Sequence, residues 1–383
     1  MPIRKSLFVT LKATLNCNLA CKYCYGRDNH SPDKEMDDEQ VKSGLRFVSE
    51  YASIVGADYV SLCWHGGEPL LFSPQRLESL CQYADETFSG KGIKCDFSTQ
   101  TNGILLDEAY YPLLKKYFNG FVGVSLDLFS DFRTFRSGRV STDIVVGKLD
   151  AALAAGLRCG VINLITRHNL DRIKDIYEFY KARNIDVRLA RVFPISADFD
   201  VSNPMYVTDE EFAGAMINYF DLWVNDEHPA PNNDIVRLVG DLLLCKPSIC
   251  LRERNCQDRY LALSPGGDIY PCAEFDVPES VIGNFLEQTP EEFFHSEKRT
   301  SIFKRAPIPA QCNGCRYEPT CYGGCLRERF MVKYPFRCKS NMLYWDHIVK
   351  WLENRGASLY VLRGKSKEES VKILSEVFPK SKS

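Results

Sequence analysis

Three cysteines fall within eight residues near the start of the chain, in Cys17-Asn18-Leu19-Ala20-Cys21-Lys22-Tyr23-Cys24, spaced C-x₃-C-x₂-C. Thiolates are soft ligands that select iron–sulfur clusters or zinc. A cubane 4Fe–4S cluster normally takes four thiolates, one for each iron. Three local cysteines therefore hold three irons and leave the fourth open to another ligand. A three-cysteine zinc site is the bland alternative. The triad directly follows an apolar run at residues 7–11, where a first β-strand would end.

The rest of the first half alternates strand-like and helix-like runs. Apolar, β-rich stretches occur at residues 7–11, 59–64, 93–99, 121–126, 159–165 and 187–193. Between them, residues such as Val41, Leu45, Val48, Ala52 and Val55, or Leu77, Leu80, Cys81, Ala84 and Phe88, recur at helical spacing. Helical runs at 112–118, 144–157 and 170–182 complete the set. Six β/α units predict a parallel sheet with right-handed crossovers. A closed eight-fold barrel needs about 250 residues. Six units in this shorter span predict an α/β fold, a partial (β/α)6 TIM-type barrel. The carboxyl ends of barrel strands carry the site. Cys17, Glu68, Asn102 and Asp127 all sit just after predicted strands.

Bulk properties bound the alternatives. The 383 residues are 45% hydrophobic, enough for a core and for more than one domain. A formal net charge of −2 gives no basic field for nucleic acid. No apolar run approaches the ~20 residues that span a membrane. Residues 1–6 lead into a strand-like run without a signal-peptide core, so a soluble, cytoplasmic protein is expected. Sixteen cysteines in a chain without an export signal favour metal over disulfides. Cys63, Cys81, Cys95, Cys159 and Cys245 stand alone and are expected to be small buried residues.

Downstream, Thr208 and Glu211 form a capping box for a helix at 210–225, and a further helix is expected at 234–244. The cysteine-rich region at about 247–337 has few long periodic runs, so metal is expected to replace hydrophobic area there. Thr289 and Pro290 look like a helix start. Leu343, Ile348 and Trp351 predict a helix packing back on the protein, and Val371, Leu374 and Phe378 a last short amphipathic one. The expected divisions are 1–230 for the barrel, 231–340 for linker helix and cysteine-rich domain, and 341–383 for a helical tail.

The segments after the strands carry polar groups. Gly66-Gly67-Glu68-Pro69 follows the second strand, and its glycines let backbone approach a ligand. Thr101-Asn102-Gly103 follows the third. Ser125 and Asp127 end the fourth, with Arg133 and Arg136 close behind. Asn163 and Arg191 lie on the fifth and sixth strands, where either can face the interior. In the second half, eight cysteines read Cys250-x₅-Cys256-x₁₅-Cys272, then Cys312-x₂-Cys315-x₅-Cys321-x₃-Cys325-x₁₂-Cys338. Eight thiolates make two complete sets of four, for zinc ribbons or for clusters.

Together these motifs resemble the radical S-adenosylmethionine (radical SAM) family with its SPASM extension. The resemblance implies that SAM chelates the open iron by its amino and carboxylate groups and is cleaved to a 5′-deoxyadenosyl radical. It implies that GGEP receives the SAM amino group, and that a serine and an arginine near Ser125 and Arg133 contact ribose and carboxylate. Tyr23, Gly66, Gly67, Glu68, Pro69, Thr101, Asn102, Ser125, Asp127, Arg133 and Asn163 are thus the expected cofactor-binding residues. It further implies that Cys250, Cys256, Cys272 and Cys325 hold one auxiliary 4Fe–4S cluster, and Cys312, Cys315, Cys321 and Cys338 a second, three clusters in all. Fully ligated clusters have no iron open to substrate, so their expected role is electron transfer, with a structural role as the alternative.

Relatives of this kind mostly modify peptides or proteins. Sulfatase maturases carry an aspartate immediately after the cysteine equivalent to Cys272, whereas this chain reads Cys272-Ala273-Glu274. Alanine cannot take a proton; Glu274 is the candidate base, or else a solvated surface carboxylate. Only six residues precede the first strand, so the leader-peptide-binding domain of many cross-linking relatives is not expected. The expected activity is an oxidative cross-link, carbon–carbon or thioether, in a ribosomally made peptide. Formylglycine formation and peptide epimerisation are the enzymatic alternatives. An iron–sulfur electron-transfer protein and a zinc-stabilised binding module are the non-enzymatic ones. Expected partners are a peptide or protein substrate, a flavodoxin- or ferredoxin-type electron donor and a separate leader-peptide-binding protein.

Overall fold

The structure, a computed structural model, describes residues 6–24, 26, 34–194, 200, 202–248, 250–253, 256–275, 277–331 and 337–377. Met1–Lys5, Phe378 and the last residues after it, which entered the sequence reading, lie outside that set. The chain divides into two compact units, Met1–Ile162 with Asn255–Arg305, and Asn163–Arg254 with Ala306–Ser383.

The first unit is built on a parallel sheet. β1 (Ser6–Thr14) pairs with β2 (Tyr59–Gly66), β2 with β3 (Lys94–Thr101), β3 with β4 (Phe121–Ser125), and β4 with the first residues of β5 (Arg158–Ile165), all in parallel. Alternating side chains explain the register. Leu7, Val9 and Leu11 on β1 and Val60, Leu62 and Trp64 on β2 are buried on one face. The crossover helices behave as their periodicity predicts. Helix Asp38–Val55 starts in a capping box from Asp37 to Gln40, ends at the left-handed Gly56, and buries Val41, Leu45, Val48 and Ala52. Helix Pro74–Ser89 buries Leu77, Leu80, Cys81, Ala84 and Phe88.

One expectation is corrected here. The stretch 256–305, expected to be poor in hydrophobic area, has apolar packing of its own. β7 (Tyr260–Leu263) extends the sheet in parallel beside β1, and β8 (Asp268–Tyr270) and β9 (Gly283–Asn284) continue it antiparallel. Tyr260 stacks on Phe8 at 5.0 Å between ring centroids. Phe285 and Phe293 pack on Phe47 of helix Asp38–Val55, and Phe293 also on Tyr51. Gly44 on that helix leaves room for Leu263, which a Cβ would approach to 3.0 Å. The strands are two to four residues long, too short to show a period in sequence.

In the second unit, β6 (Asp186–Arg191) supplies the sixth β/α strand in chain order. Helix Asp209–Val224 has the expected capping box between Thr208 and Glu211, and helix Asn233–Leu244 is capped by Asn232. Helix Cys338–Glu353 packs on the former: Phe220 meets Tyr344 and Trp351 edge to face, and His347 lies 2.7 Å from Asp221. Ile348 is buried as expected, but Leu343 is 40% exposed; Tyr344 and Trp345 provide the buried face instead. Helix Lys367–Val377 forms, yet Val371 is 58% exposed, so its apolar residues do not form a packed stripe. No helix among the described residues is long and apolar enough to cross a membrane.

Candidate cluster and SAM site

The cysteine triad follows β1 by three residues and is held as a loop by backbone pairing. Ala20 N donates to the Thr134 carbonyl (2.7 Å) and Lys22 N to that of Phe132 (2.9 Å). Cys24 N closes a turn on the Cys21 carbonyl (3.2 Å). Cys21 is buried, Cys17 half-buried and Cys24 exposed.

The loop after β2 lies directly against this one. Gly67 N donates to the Thr14 carbonyl and Glu68 N to that of Asn16, both at 2.8 Å. A Cβ on Gly66 would lie 2.0 Å from the Thr14 carbonyl oxygen, and one on Gly67 2.1 Å from that of Asn16. Gly66 also has φ +124°, a conformation that side chains disfavour. Both glycines are therefore required for the close approach of the two loops.

Glu68 is fully buried. Its carboxylate accepts from Thr101 Oγ1 (2.6 Å), Asn102 N (2.7 Å) and Leu70 N (2.9 Å). Burial raises its pKa, and these donors oppose the rise. The carboxylate thus serves as a staple between the loops after β2 and β3. That leaves the backbone of Gly66 and Gly67, rather than the Glu68 side chain, as the readier acceptor for an ammonium. The stapled Asn102 then reaches the cysteine loop. Its Nδ2 donates to Asn18 Oδ1 (2.6 Å) and lies 3.6 Å from Cys17 Sγ, to which Leu19 N also donates at 3.4 Å. Burial pushes the Cys17 thiol up, and these two donors oppose the shift.

Arg133 belongs to the same assembly. It is buried, whereas Arg136 is exposed, so of the two only Arg133 can act inside. Its guanidinium donates to the Tyr23 hydroxyl at 3.1 Å, and that hydroxyl donates to Asp127 Oδ2. Burial, then the Asp127 charge, raise the Tyr23 pKa well above the usual phenol range. Burial pushes the Cys21 thiol up to about 11, against the pull of Arg133. The Nε of Arg133 is buried without a hydrogen-bond partner. Ser125 Oγ accepts from Gln100 Nε2 at 2.9 Å. Three thiols, an aimed guanidinium with a spare donor and a glycine-lined backbone fit a cluster of three local ligands and an amino-acid-bearing cofactor.

Other expected residues are placed differently. Asn163, in the second unit, is buried and accepts from the Tyr180 hydroxyl at 3.0 Å while donating to the Leu164 carbonyl. Arg191 is buried and bonded to Asp209 (2.9 Å) and Ser340 (3.2 Å), which occupies it structurally. Glu274 is exposed, as a solvated carboxylate would be. Of the lone cysteines, Cys81 and Cys159 are buried and Cys63, Cys95 and Cys245 half-buried. Sequence reading passed over Lys12. It sits at 2% exposure on β1, with Nζ 3.5 Å from the Phe275 carbonyl and 5.7 Å from the Tyr270 ring centre. The signal was available: a lysine at the inner end of an otherwise apolar strand.

In the second unit, Cys312, Cys315, Cys321 and Cys338 line one cavity, and Cys325, expected in the other set of four, lines it too. Burial pushes Cys321 up to about 12, with Cys338 and Cys312 adding to the shift. Cys338 feels Cys312 and Cys315 in the same way. The turn after Cys321 runs through three left-handed residues, Tyr322, Gly323 and Gly324, to Cys325. Cys250 adds to the upward shift of Cys325, which burial pushes to about 12. Among the described residues no three such side chains are gathered for a single metal ion. A cubane asks less, because each thiolate meets its own iron.

Comparison with known proteins agrees with this geometry. Residues 11–180 match the radical SAM superfamily, and residues 250–316 match SPASM, an iron–sulfur cluster-binding domain. A serine-type anaerobic sulfatase-maturating enzyme of Bacteroides thetaiotaomicron is 26% identical over 92% of this chain and 92% of its own length. A cysteine-type enzyme of Clostridium perfringens is 25% identical over 83% of this chain and 88% of its own. Among solved structures, anSMEcpe with bound AdoMet and the Cp18Cys peptide superposes with a TM-score of 0.78 at 22% identity, covering 91% of this chain and 98% of that one. Streptococcus suis SuiB bound to precursor peptide SuiA gives 0.61 at 16% identity, over 87% and 75%. At these identities the two structures establish the shared fold.

Proposed function

The chain carries a radical SAM domain and a SPASM iron–sulfur domain, and from that premise we propose that it oxidises a side chain of a peptide or protein substrate at an unactivated C–H bond. The observation that carries this reading is the meeting, at the ends of β1 to β4, of the cysteine triad with Asn102 and with the Arg133–Tyr23–Asp127 hydrogen-bond chain. When bound, the cluster and SAM supply a 5′-deoxyadenosyl radical that removes one hydrogen atom, and the auxiliary clusters supply an acceptor for the second electron.

The chain's own residues do the rest. Cys17, Cys21 and Cys24 hold three irons. Arg133 offers its spare Nε–H to a carboxylate. Gly66 and Gly67 bring carbonyl groups close to an ammonium, and Glu68 fixes the neighbouring loop through Thr101 and Asn102. Eleven cysteines (three, four and four) are the complement for three 4Fe–4S clusters. A flavodoxin- or ferredoxin-type donor would supply the first electron, in the cytoplasm.

Formylglycine formation is the first specific reading, supported by the two sulfatase-maturating relatives that run along most of the chain. Conversion of serine to formylglycine removes two hydrogens, one as an atom and one as a proton and an electron. A second reading, an oxidative cross-link, is supported by Ala273, which stands where maturases carry aspartate; a separate leader-binding protein would then present the peptide. The test is anaerobic incubation of the reconstituted protein with SAM, dithionite and serine- or cysteine-containing sulfatase peptides. Formation of 5′-deoxyadenosine with an aldehyde trapped by hydrazide is expected. A peptide lighter by two hydrogens with no trappable aldehyde selects the cross-link. SAM left intact at full iron loading overturns both.

A further inference from the structure

The cavity that Cys312, Cys315, Cys321 and Cys338 line together with Cys325 has a buried cation in its wall, Arg252. Arg252 is only 7% exposed. Its guanidinium lies over the Trp345 ring, 5.3 Å from the centre, and Trp345 lines the same cavity. One terminal nitrogen donates to Asp241 Oδ2 at 2.6 Å. The Nε is buried and has no hydrogen-bond partner. The arrangement is polarised: Arg252 is part of the cavity wall, whereas Asp241 belongs to helix Asn233–Leu244 and is not. The other charges in the wall are buried Glu328, paired with half-buried Arg337, and the half-buried Glu318, so among the described residues Arg252 is the one cation of the wall that is buried.

Stability does not account for such a pair. A buried ion pair is expensive to desolvate, and apolar residues of similar volume often serve as well or better. Cluster potentials, by contrast, are set by local charge and by hydrogen bonds to sulfur. One-electron reduction adds a negative charge inside this cavity, and a fixed guanidinium with a spare N–H stabilises that charge in a low-dielectric wall. We propose that Arg252 is a positioning residue that raises the reduction potential of an iron–sulfur cluster held by Cys312, Cys315, Cys321 and Cys338, so that this cluster accepts electrons. The proposal rests on the four-thiolate cluster reading and is independent of which peptide is oxidised.

The test is a redox titration with dithionite followed by electron paramagnetic resonance. The full-length chain carries alanine at Cys17, Cys21 and Cys24, so that only auxiliary couples remain. Arg252→Met is expected to move one couple towards the oxidised form about tenfold, ~59 mV for one electron. Arg252→Lys should recover most of the shift. Asp241→Asn should move the same couple the other way. Unmoved couples in Arg252→Met at full iron and sulfide content overturn the proposal. If Arg252→Met fails to assemble its cluster, Asp241→Asn decides, and an unmoved or lowered potential there overturns it. Absence of auxiliary iron and sulfide from the parent protein overturns the cluster reading itself, and this proposal with it.

Discussion

The side-chain amide of Asn102 donates to Asn18 Oδ1 at 2.6 Å, tying the loop after β3 to the cysteine loop after β1. The same nitrogen is 3.6 Å from Cys17 Sγ. Asn102→Ala removes both contacts and the Oδ1 acceptor of Ile104 N. A loss of about 1.4 kcal/mol in site organisation corresponds to a roughly tenfold fall in 5′-deoxyadenosine formation. Chromatographic assay of that product at matched iron content checks it, and an unchanged rate would remove Asn102 from the site.

Glu68→Ala strands three donors, two of them backbone N–H groups in the interior. Each unsatisfied buried donor costs roughly 1–3 kcal/mol. The variant should lose on the order of 3 kcal/mol or more in denaturant unfolding and bind less iron at the triad. Wild-type stability would mean that the staple is dispensable.

Tyr23→Phe takes away the hydroxyl that links Arg133 to Asp127. The buried guanidinium and carboxylate then lose a shared partner, at roughly 1–3 kcal/mol. Arg136→Ala, at an exposed position, should stay within about 0.5 kcal/mol. Equal effects of the two substitutions in urea titrations would contradict the assignment of Arg133 as the inward arginine.

Asp226 accepts from Tyr177 and Lys181, both at 2.5 Å. The Lys181 ammonium and the Tyr177 hydroxyl hold its pKa down to about 2. A carboxylate depressed in this way stabilises the fold above its unfolded pKa of about 3.9, and that contribution is lost as pH falls towards the folded value. Wild type should exceed Asp226→Asn in stability near neutrality, and the gap should close between about pH 4 and 2. Thermal unfolding across that range reads it directly; a gap that is constant with pH would show that the charge is not responsible.

Phe293 is fully buried against Phe47 and Tyr51. Phe293→Ala should cost about 3–5 kcal/mol. The loss should persist in iron-free protein, since this part of the cysteine-rich region is held by apolar packing. Calorimetry of the two forms compares them; a loss seen only with iron bound would restore metal as the folding force.

The site was legible to the extent that it is local. GGEP and TNG stand within two residues of strand ends, so strand periodicity placed them and the family resemblance gave them a role. Glu68 was expected to face the ligand, but its fate depends on the donors of Leu70, Thr101 and Asn102, a meeting that no local pattern encodes. The short strands β7 to β9 were missed for the same reason: they exist because β1 offers an edge and helix Asp38–Val55 offers Phe47.

The cysteine spacings, the β/α alternation and the caps at Asp37, Thr208 and Thr289 follow from neighbours a few residues apart, and sequence determined them alone. Tertiary structure chose Arg133 over Arg136, turned Glu68 inward, and set Arg252 rather than Asp241 in the wall of a cysteine-lined cavity. Those choices depend on burial and charge contributed by segments remote in the chain, which meet only when the sheet and helices have packed.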